Sequence, residues 1–539
     1  MKCLSRDSTG EKMRSDELPP VVIDGEHLTI EAVVDVARRF RRVELSPRAL
    51  ERARASRAVL EEKVLKAGLR CYGVTTGLGP LGRVFIGPED ARKLQENVVL
   101  SHSCAVGDAL PRDVVRAMML IRANTLAKGL SGVRPELLER LVEMLNRKVH
   151  PVVPSRGSVG ASGDLALLAH VALVLLGRPE GRAEVNGEVL RADEALRRAG
   201  IRPLEPPLDR KEGLALVNGT SAMTAIAALA VHDAGRLVKV ADICLAMTLE
   251  AIGGFPEAFD LDYLGQRAVF PLSDGQGACA ENVLRLVEGS ELLRDPRIRR
   301  AHDPYSVRCA PQVHGSVREG LAFARSIVEA ELNSADDNPL FFGEEPFCRS
   351  GGNFHGQPVA LASDVLSISM ATLGNISERR VALLLTRELN EVLPSFLVHP
   401  SARAGLNSGL MIPQYVAASL ASENKVLAHP ASVDTIPTAA NFEDFVSMGL
   451  TAALKARDIV ENVTLILAIE FLCAFQAISL RGPERAGRGT KVAYELARSY
   501  GLEEVVSDRP LSGYIEKAAE LVRTGRLLEA VEGAIGRLR

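Results

Sequence analysis

Long stretches rich in alanine, leucine, isoleucine, serine and methionine, residues 222–251, 364–385 and 446–480, constrain this chain more than any other feature. Small side chains on a long apolar helix let its neighbours approach closely, so these stretches predict a bundle of long, tightly packed helices. The run 165–176 is about 12 residues, short of the roughly 20 that a membrane span needs. The run 464–480 is longer but carries Glu470, and both are expected to be buried helices. Residues 28–65 repeat Ala, Arg, Glu and Leu at three- and four-residue spacing and predict paired amphipathic helices. Helical patterns return over 88–100 and 111–148, AEVNGEVL predicts a small hairpin turning at Asn186-Gly187, and 481–489 reads as a linker before charged helices. The fold class expected is mainly α: a long-helix bundle core with a smaller N-terminal α/β-like part carrying the loops, and no internal repeat. The expected divisions are a flexible tail over 1–20, an N-terminal domain over 21–215, a central helical bundle over 216–480 and a C-terminal linker with helices over 481–539.

Composition removes several classes of partner. Lys plus Arg (65) nearly balance Asp plus Glu (68), and the net charge of -3 gives no field to recruit nucleic acid or anionic lipid. Seven tyrosines, 15 phenylalanines and no tryptophan leave few platforms for stacking bases. Neither nucleic acid nor a membrane is therefore expected as a partner. The eight cysteines lie far apart with no C-x-x-C pair, which suits reduced thiols in a cytoplasmic protein better than a disulfide frame or a zinc site, and no metal is expected. The polar, charged start lacks the apolar stretch of a signal peptide.

Function is then expected in the glycine-rich loops. Gly77-Leu78-Gly79-Pro80-Leu81-Gly82 matches G-x-G-x-x-G, but Pro80 and the following VFIGP oppose the helix that a dinucleotide site requires. A mobile loop that delivers Tyr72 to a site is the better reading. The second loop runs from Gly157 to Asp164 and leads directly into the apolar run. Taken generically it is a tight turn ending in an Asp N-cap. A nucleophilic serine is not supported, because G-x-S-x-G is absent. Backbone chemistry remains: in Ala161-Ser162-Gly163 the unencumbered glycine nitrogen can be bent onto the alanine carbonyl carbon, and the serine can lose its hydroxyl.

YGVTTGLG, GSVGASGDLALLAH, LVNGTSAM, DPYSVR, SGGNFHG and SLASENKVLAHPASVDTIPT occur in this order between residues 28 and 480. Together they resemble the aromatic amino acid ammonia-lyases and aminomutases, and most closely the members that act on histidine. The resemblance implies a carbon–nitrogen lyase and a homotetramer of long helices with each site drawn from three subunits. It also implies a 4-methylideneimidazol-5-one (MIO) group formed autocatalytically from Ala161, Ser162 and Gly163, with no diffusible cofactor. Such an electrophile answers a chemical need, since ammonia is a poor leaving group and the β-hydrogen of an amino acid is weakly acidic. The helix that Asp164 heads would favour negative charge developing on the ring oxygen.

Further roles follow from the same resemblance. Tyr72 stands where the family places its base; an ordinary tyrosine pKa near 10 is too high, so the site is expected to depress it. Asp303 and Pro304 read independently as a helix start, which puts Tyr305 and Arg308 on one face. By resemblance Arg308 grips the substrate carboxylate and Tyr305 sits near the MIO group. Asn218 matches an asparagine near the amine, and Phe354 a phenylalanine bordering the MIO group. His102, in a Ser101-His102 pair, and Glu423 match the histidine-acting members; a carboxylate and an imidazole can hydrogen-bond a substrate imidazole and would be left unpaired against a phenyl ring. His302, Phe442 and Leu78 depart from the family pattern, where glutamine, glutamine and phenylalanine are usual. The activity expected is removal of ammonia from L-histidine to give trans-urocanate. A tyrosine or phenylalanine ammonia-lyase, an aromatic 2,3-aminomutase and an inactive helical oligomer are the alternatives.

Overall fold

Thr29 and Ser46 each open a helix by accepting a hydrogen bond from the amide three residues on, Ala32 N at 3.2 Å and Ala49 N at 3.0 Å. Between the resulting helices, Ile30–Arg39 and Pro47–Ala58, the strand Val43–Leu45 pairs in parallel with Val21–Ile23. The expected pair of amphipathic helices over 28–65 is therefore present, with a strand inserted between them. The computed structural model describes residues 18–267 and 272–539, and the backbone of Leu4–Arg6 paired with Lys12–Arg14. The flexible tail expected over 1–20 lies for the most part outside the described residues.

Two compact units interleave along the chain: Met1–His232, Arg325–Asp364 and Pro430–Leu454 form the first, and Asp233–Ala324, Val365–His429 and Lys455–Arg539 the second. The boundaries read from the sequence, at 215/216 and 480/481, cut by chain order and do not coincide with these units.

In the first unit the helices Arg112–Ala127 and Pro135–Asn146 pack on each other, and Leu165–Leu175 packs against Ala91–His102 and Glu212–Val217. Small sheets edge them, among them Arg182–Val185 paired with Glu188–Arg191 through the predicted turn, where Asn186 (φ 53°) and Gly187 (φ 86°) are both left-handed. The N-terminal part is thus α/β-like as expected. Cys71 and Cys348, 277 residues apart, form a disulfide with their Cα atoms 6.5 Å apart. This corrects the expectation of reduced thiols throughout, because spacing along the chain carries no trace of an approach made by tertiary folding.

The long helices are present: Ser221–Ala251 and Gln357–Leu385 span the first two stretches predicted from small apolar residues, and Gly449–Arg481 covers the third from residue 449 on. The last two are apolar enough by length and composition to cross a bilayer, yet 67% and 83% of their apolar windows are buried inside the protein. In the second unit Glu470 is fully buried against Arg380, accepting from Nε at 2.5 Å and Nη2 at 2.8 Å. Thr248 and Ser377 donate to the same carboxylate at 3.0 and 2.6 Å, so every oxygen is satisfied. Asp242 is held alike by His314, Arg318 and Asn282, and the charge of Arg318 lowers its pKa to about 2 against the opposing effect of burial. Removing one partner of such a pair strands a buried charge. Glu470→Gln should accordingly destabilise the protein by about 3–5 kcal/mol, measured as a shift in its denaturant midpoint.

Candidate active site

A cavity of about 970 Å³ opens in the first unit, lined by the glycine loop 77–81, the end of the helix Ala91–His102, Ala161, Ser162, Asn218, the 350–355 segment and residues 439–445. Of the residues expected from the sequence it brings together Tyr72, His102, Ala161, Ser162, Asn218 and Phe354, with Gly163 in the backbone directly behind. Tyr305, Arg308 and Glu423 belong to the second unit and are not among its lining groups.

The tripeptide loop has little freedom. Ser162 sits at φ 54°, a left-handed conformation that costs a non-glycine residue energy. Gly163, at φ 70°, pairs with Gly219, and a Cβ placed on it would lie 1.9 Å from the Gly219 carbonyl oxygen. Only glycine fits, and the bare nitrogen that a backbone cyclisation needs is the one present. Upstream, Ser447 Oγ and Gly356 N both donate to Gly160 O at 2.9 Å. These restraints suit a group built from the chain itself.

Asp164 precedes the helix Leu165–Leu175 as expected, but its side chain does not cap that helix. It accepts instead from Ala222 N and Met223 N, at 2.9 and 2.8 Å, and so caps the helix that begins at Ser221. Ser158 Oγ donates to its other oxygen at 2.8 Å. Burial outweighs these bonds and pushes its pKa up to about 6.

The glycine loop folds as a 3-10 turn, Gly79–Arg83, consistent with the argument against a dinucleotide site. Its Gly79 amide donates to the Tyr72 hydroxyl oxygen at 2.7 Å. That bond favours the phenolate, but burial dominates and, with the nearby Glu443 charge, holds the Tyr72 pKa above its ordinary value. The expected depression is therefore not found: burial, the Gly79 amide and Glu443 set the Tyr72 pKa, and no cation is among these causes in the described residues. Burial also lowers the pKa of His102, keeping the imidazole neutral, and Ser101 Oγ lies 3.0 Å from its Nδ1.

Glu443, next to Phe442, lines the cavity although it is not among the residues expected from the sequence. Its Oε1 lies 3.5 Å from Ser162 Oγ, at the limit of a hydrogen bond, while Oε2 accepts from Thr438 Oγ1 at 2.9 Å. The available signal was the acidic pair that follows Phe442 in Asn441-Phe442-Glu443-Asp444. His355 also lines the cavity, its ring stacked at 5.9 Å on Phe445. Phe442 is 64% exposed at the cavity wall, so the departure from an amide side chain puts an apolar ring where a polar one is usual.

In the second unit the four-residue helix Tyr305–Arg308 begins after Pro304, and Asp303 accepts from Phe255 N and pairs with Arg300 instead of capping it. The Arg308 guanidinium lies 4.6 Å from the centre of the Tyr305 ring, and both His302 and Arg308 line a separate cavity of about 730 Å³. Glu423 is exposed on the helix Met411–Leu427.

A helical protein with a glycine-lidded cavity around a strained Ala-Ser-Gly loop has the makings of a carbon–nitrogen lyase, and comparison with known proteins agrees. Residues 28–499 match the family model for aromatic amino acid lyases, and the chain belongs to that family. It is 51% identical to a histidine ammonia-lyase of Caldanaerobacter subterraneus subsp. tengcongensis, over 95% of this chain and 98% of that one. Among solved structures, a tyrosine aminomutase from Streptomyces globisporus superposes with a TM-score of 0.90 at 37% identity, covering 97% of this chain and 100% of that one. A histidine ammonia-lyase from Trypanosoma cruzi gives 0.87 at 38% identity, covering 96% of each chain.

Behind the loop, Thr220 Oγ1 lies in hydrogen-bond range of both Glu331 and Asp336. A hydroxyl has one proton, so both contacts are satisfied only if one of the two carboxyls is protonated and donates to Thr220. Burial and the Asp336 charge raise the Glu331 pKa to about 7. Glu331 and Asp164 both bind protons more tightly in the folded chain than at their ordinary values of 4.5 and 3.8, so their contribution is full at low pH and is lost as pH rises to about 7. Glu331→Gln should flatten this fall, measured as a smaller change in denaturant midpoint between about pH 5 and 8 than the parent shows.

Proposed function

We propose that the enzyme removes ammonia from L-histidine to give trans-urocanate, a step of histidine degradation. The observation that carries this reading is the single cavity that holds Tyr72, His102, Asn218 and Glu443 around Ala161-Ser162. Identity of 51% to a histidine ammonia-lyase over nearly the whole chain supports it. An imidazole ring needs polar partners, and neutral His102 with carboxylates supplies them, whereas a phenyl ring would leave them unpaired.

In this reading Ala161, Ser162 and Gly163 form the MIO group. That group would supply an electrophilic methylidene carbon to take up the substrate amine. Phe354 borders it and excludes water, and Asn218, whose Nδ2 is tied to Asp337 at 3.1 Å, keeps its amide oxygen available for the amine. Tyr72 takes the β-proton, held in place by the Gly79 amide.

Tyr305, Arg308 and Glu423 complete the proposal within a homotetramer, Arg308 for the carboxylate, Tyr305 beside the MIO group and Glu423 for the imidazole. Exposed apolar side chains on the helix Met411–Leu427 support such an assembly, since Ile412, Tyr415 and Val426 are 57%, 63% and 72% exposed. Five described cysteines, Cys104, Cys244, Cys279, Cys309 and Cys473, are free thiols and two form the Cys71–Cys348 disulfide, and the balance supports a cytoplasmic setting.

Incubation of the purified protein with histidine, tyrosine and phenylalanine separately tests the assignment: the urocanate chromophore is expected from histidine alone, and a β-amino acid product would identify an aminomutase instead. The intact chain should weigh two waters less than its sequence, and Ser162→Ala should restore the full mass and abolish turnover. Because the phenolate is the active form and the Tyr72 pKa is raised, kcat/KM should climb with pH above neutrality. Tyr72→Phe should lower kcat by about 10²–10⁴ and remove that climb.

A further inference from the structure

Ring closure requires the Gly163 nitrogen to be pressed against the Ala161 carbonyl, and in the first unit a buried ion pair stands behind the turn that contacts the tripeptide. Gly219 lies against the tripeptide on one side, its N–H donating to Ser162 O at 3.1 Å and its carbonyl accepting from Asp164 N at 2.7 Å. On its other side stand Arg122 and Asp336, each nearly inaccessible to solvent, with Nη2 and Oδ1 3.3 Å apart. A Cβ on Gly219 would lie 2.1 Å from Arg122 Nη1 and 2.7 Å from Asp336 Oδ2. The pair also grips both neighbours of Gly219: Arg122 Nη1 donates to Asn218 O at 2.7 Å, and Thr220 N donates to Asp336 Oδ2 at 2.7 Å. Side chain, turn and tripeptide thus touch in succession.

We propose that Arg122 and Asp336 are positioning residues for the self-cyclisation of Ala161-Ser162-Gly163, acting through the Asn218-Gly219-Thr220 turn. The inference rests on the reading of the tripeptide as the source of the MIO group. In the step they assist, the Gly163 nitrogen forms a bond to the Ala161 carbonyl carbon and its proton passes to the carbonyl oxygen. That oxygen leaves as water with the Ser162 amide proton, creating a C=N bond. The Ser162 α-proton and hydroxyl leave as the second water, creating the methylidene. No oxidant is consumed, so alignment is what the protein must supply. Displacement by about 1 Å costs such a step about a hundredfold. The pair's burial explains why the turn does not relax away from the strained Ser162: separating the charges would strand both out of water.

Intact-mass spectrometry at intervals after a short pulse of expression tests this without reference to turnover. Asp336→Asn should keep the chain folded by circular dichroism yet lose water about a hundredfold more slowly than the parent, so that chains of full mass persist. Glu470→Gln, which breaks a buried pair in the second unit, should dehydrate as the parent does and separates positioning from general destabilisation. If Asp336→Asn does not fold, Thr220→Val provides the reading: loss of the hydroxyl that bridges to Asp336 should slow dehydration, and Thr220→Ser should restore it. A parent chain of full mass would remove the MIO reading itself. A parent two waters lighter with Asp336→Asn and Thr220→Val dehydrating at its rate would overturn the positioning role alone.

Discussion

The contact between the backbones of Gly163 and Gly219 is the constraint on which the site depends. Neither residue has room for a Cβ, since Gly219 O lies within 1.9 Å of where one would stand on Gly163 and Arg122 Nη1 within 2.1 Å of one on Gly219. Two segments far apart in the chain meet as bare peptide, and buried charge closes over them from behind. Lys211 and Asp337, fully buried and 2.6 Å apart, repeat the arrangement one residue along, where Asp337 holds the Asn218 side chain. Helices bring these groups together, but paired charges keep the turn from slackening, because unpairing them would cost far more than the strain they hold.

The electrostatics of the cavity follow from this packing. Burial acts on each ionisable group in the direction that removes charge: Tyr72 and Asp164 are raised and His102 is lowered. The cavity of the first unit therefore sets Tyr72 and His102 in their uncharged forms beside two acids, Glu443 and Asp444. Such a setting can recognise a neutral imidazole, but it does not by itself make a phenolate of Tyr72.

The second unit uses the same physics for stability in place of chemistry. Among its long apolar helices the Glu470 carboxylate is held by Arg380, Thr248 and Ser377, and the Asp242 carboxylate by Arg318, His314 and Asn282. Asp242, Cys279 and His314 lie close enough together to suggest a metal site, but the Arg318 guanidinium already occupies the carboxylate. A cation there would have to displace a bonded charge.

Helix periodicity and small-residue content determined the long helices from sequence alone, and Asn186-Gly187 determined its hairpin, because these signals are local. The Ala-Ser-Gly loop was legible for the same reason, as were Tyr72 and Asn218 through their motifs. Other features were decided only by tertiary structure. The Cys71–Cys348 disulfide joins residues 277 apart, Asp164 caps a helix other than the one it precedes, and Glu443 reaches the Ser162 hydroxyl from a loop 281 residues downstream. The direction of the Tyr72 pKa shift belongs with them, since a residue's neighbours in the chain do not reveal how much water and charge the fold leaves around it. Backbone preference is written residue by residue, whereas burial and charge pairing exist only once distant segments have met.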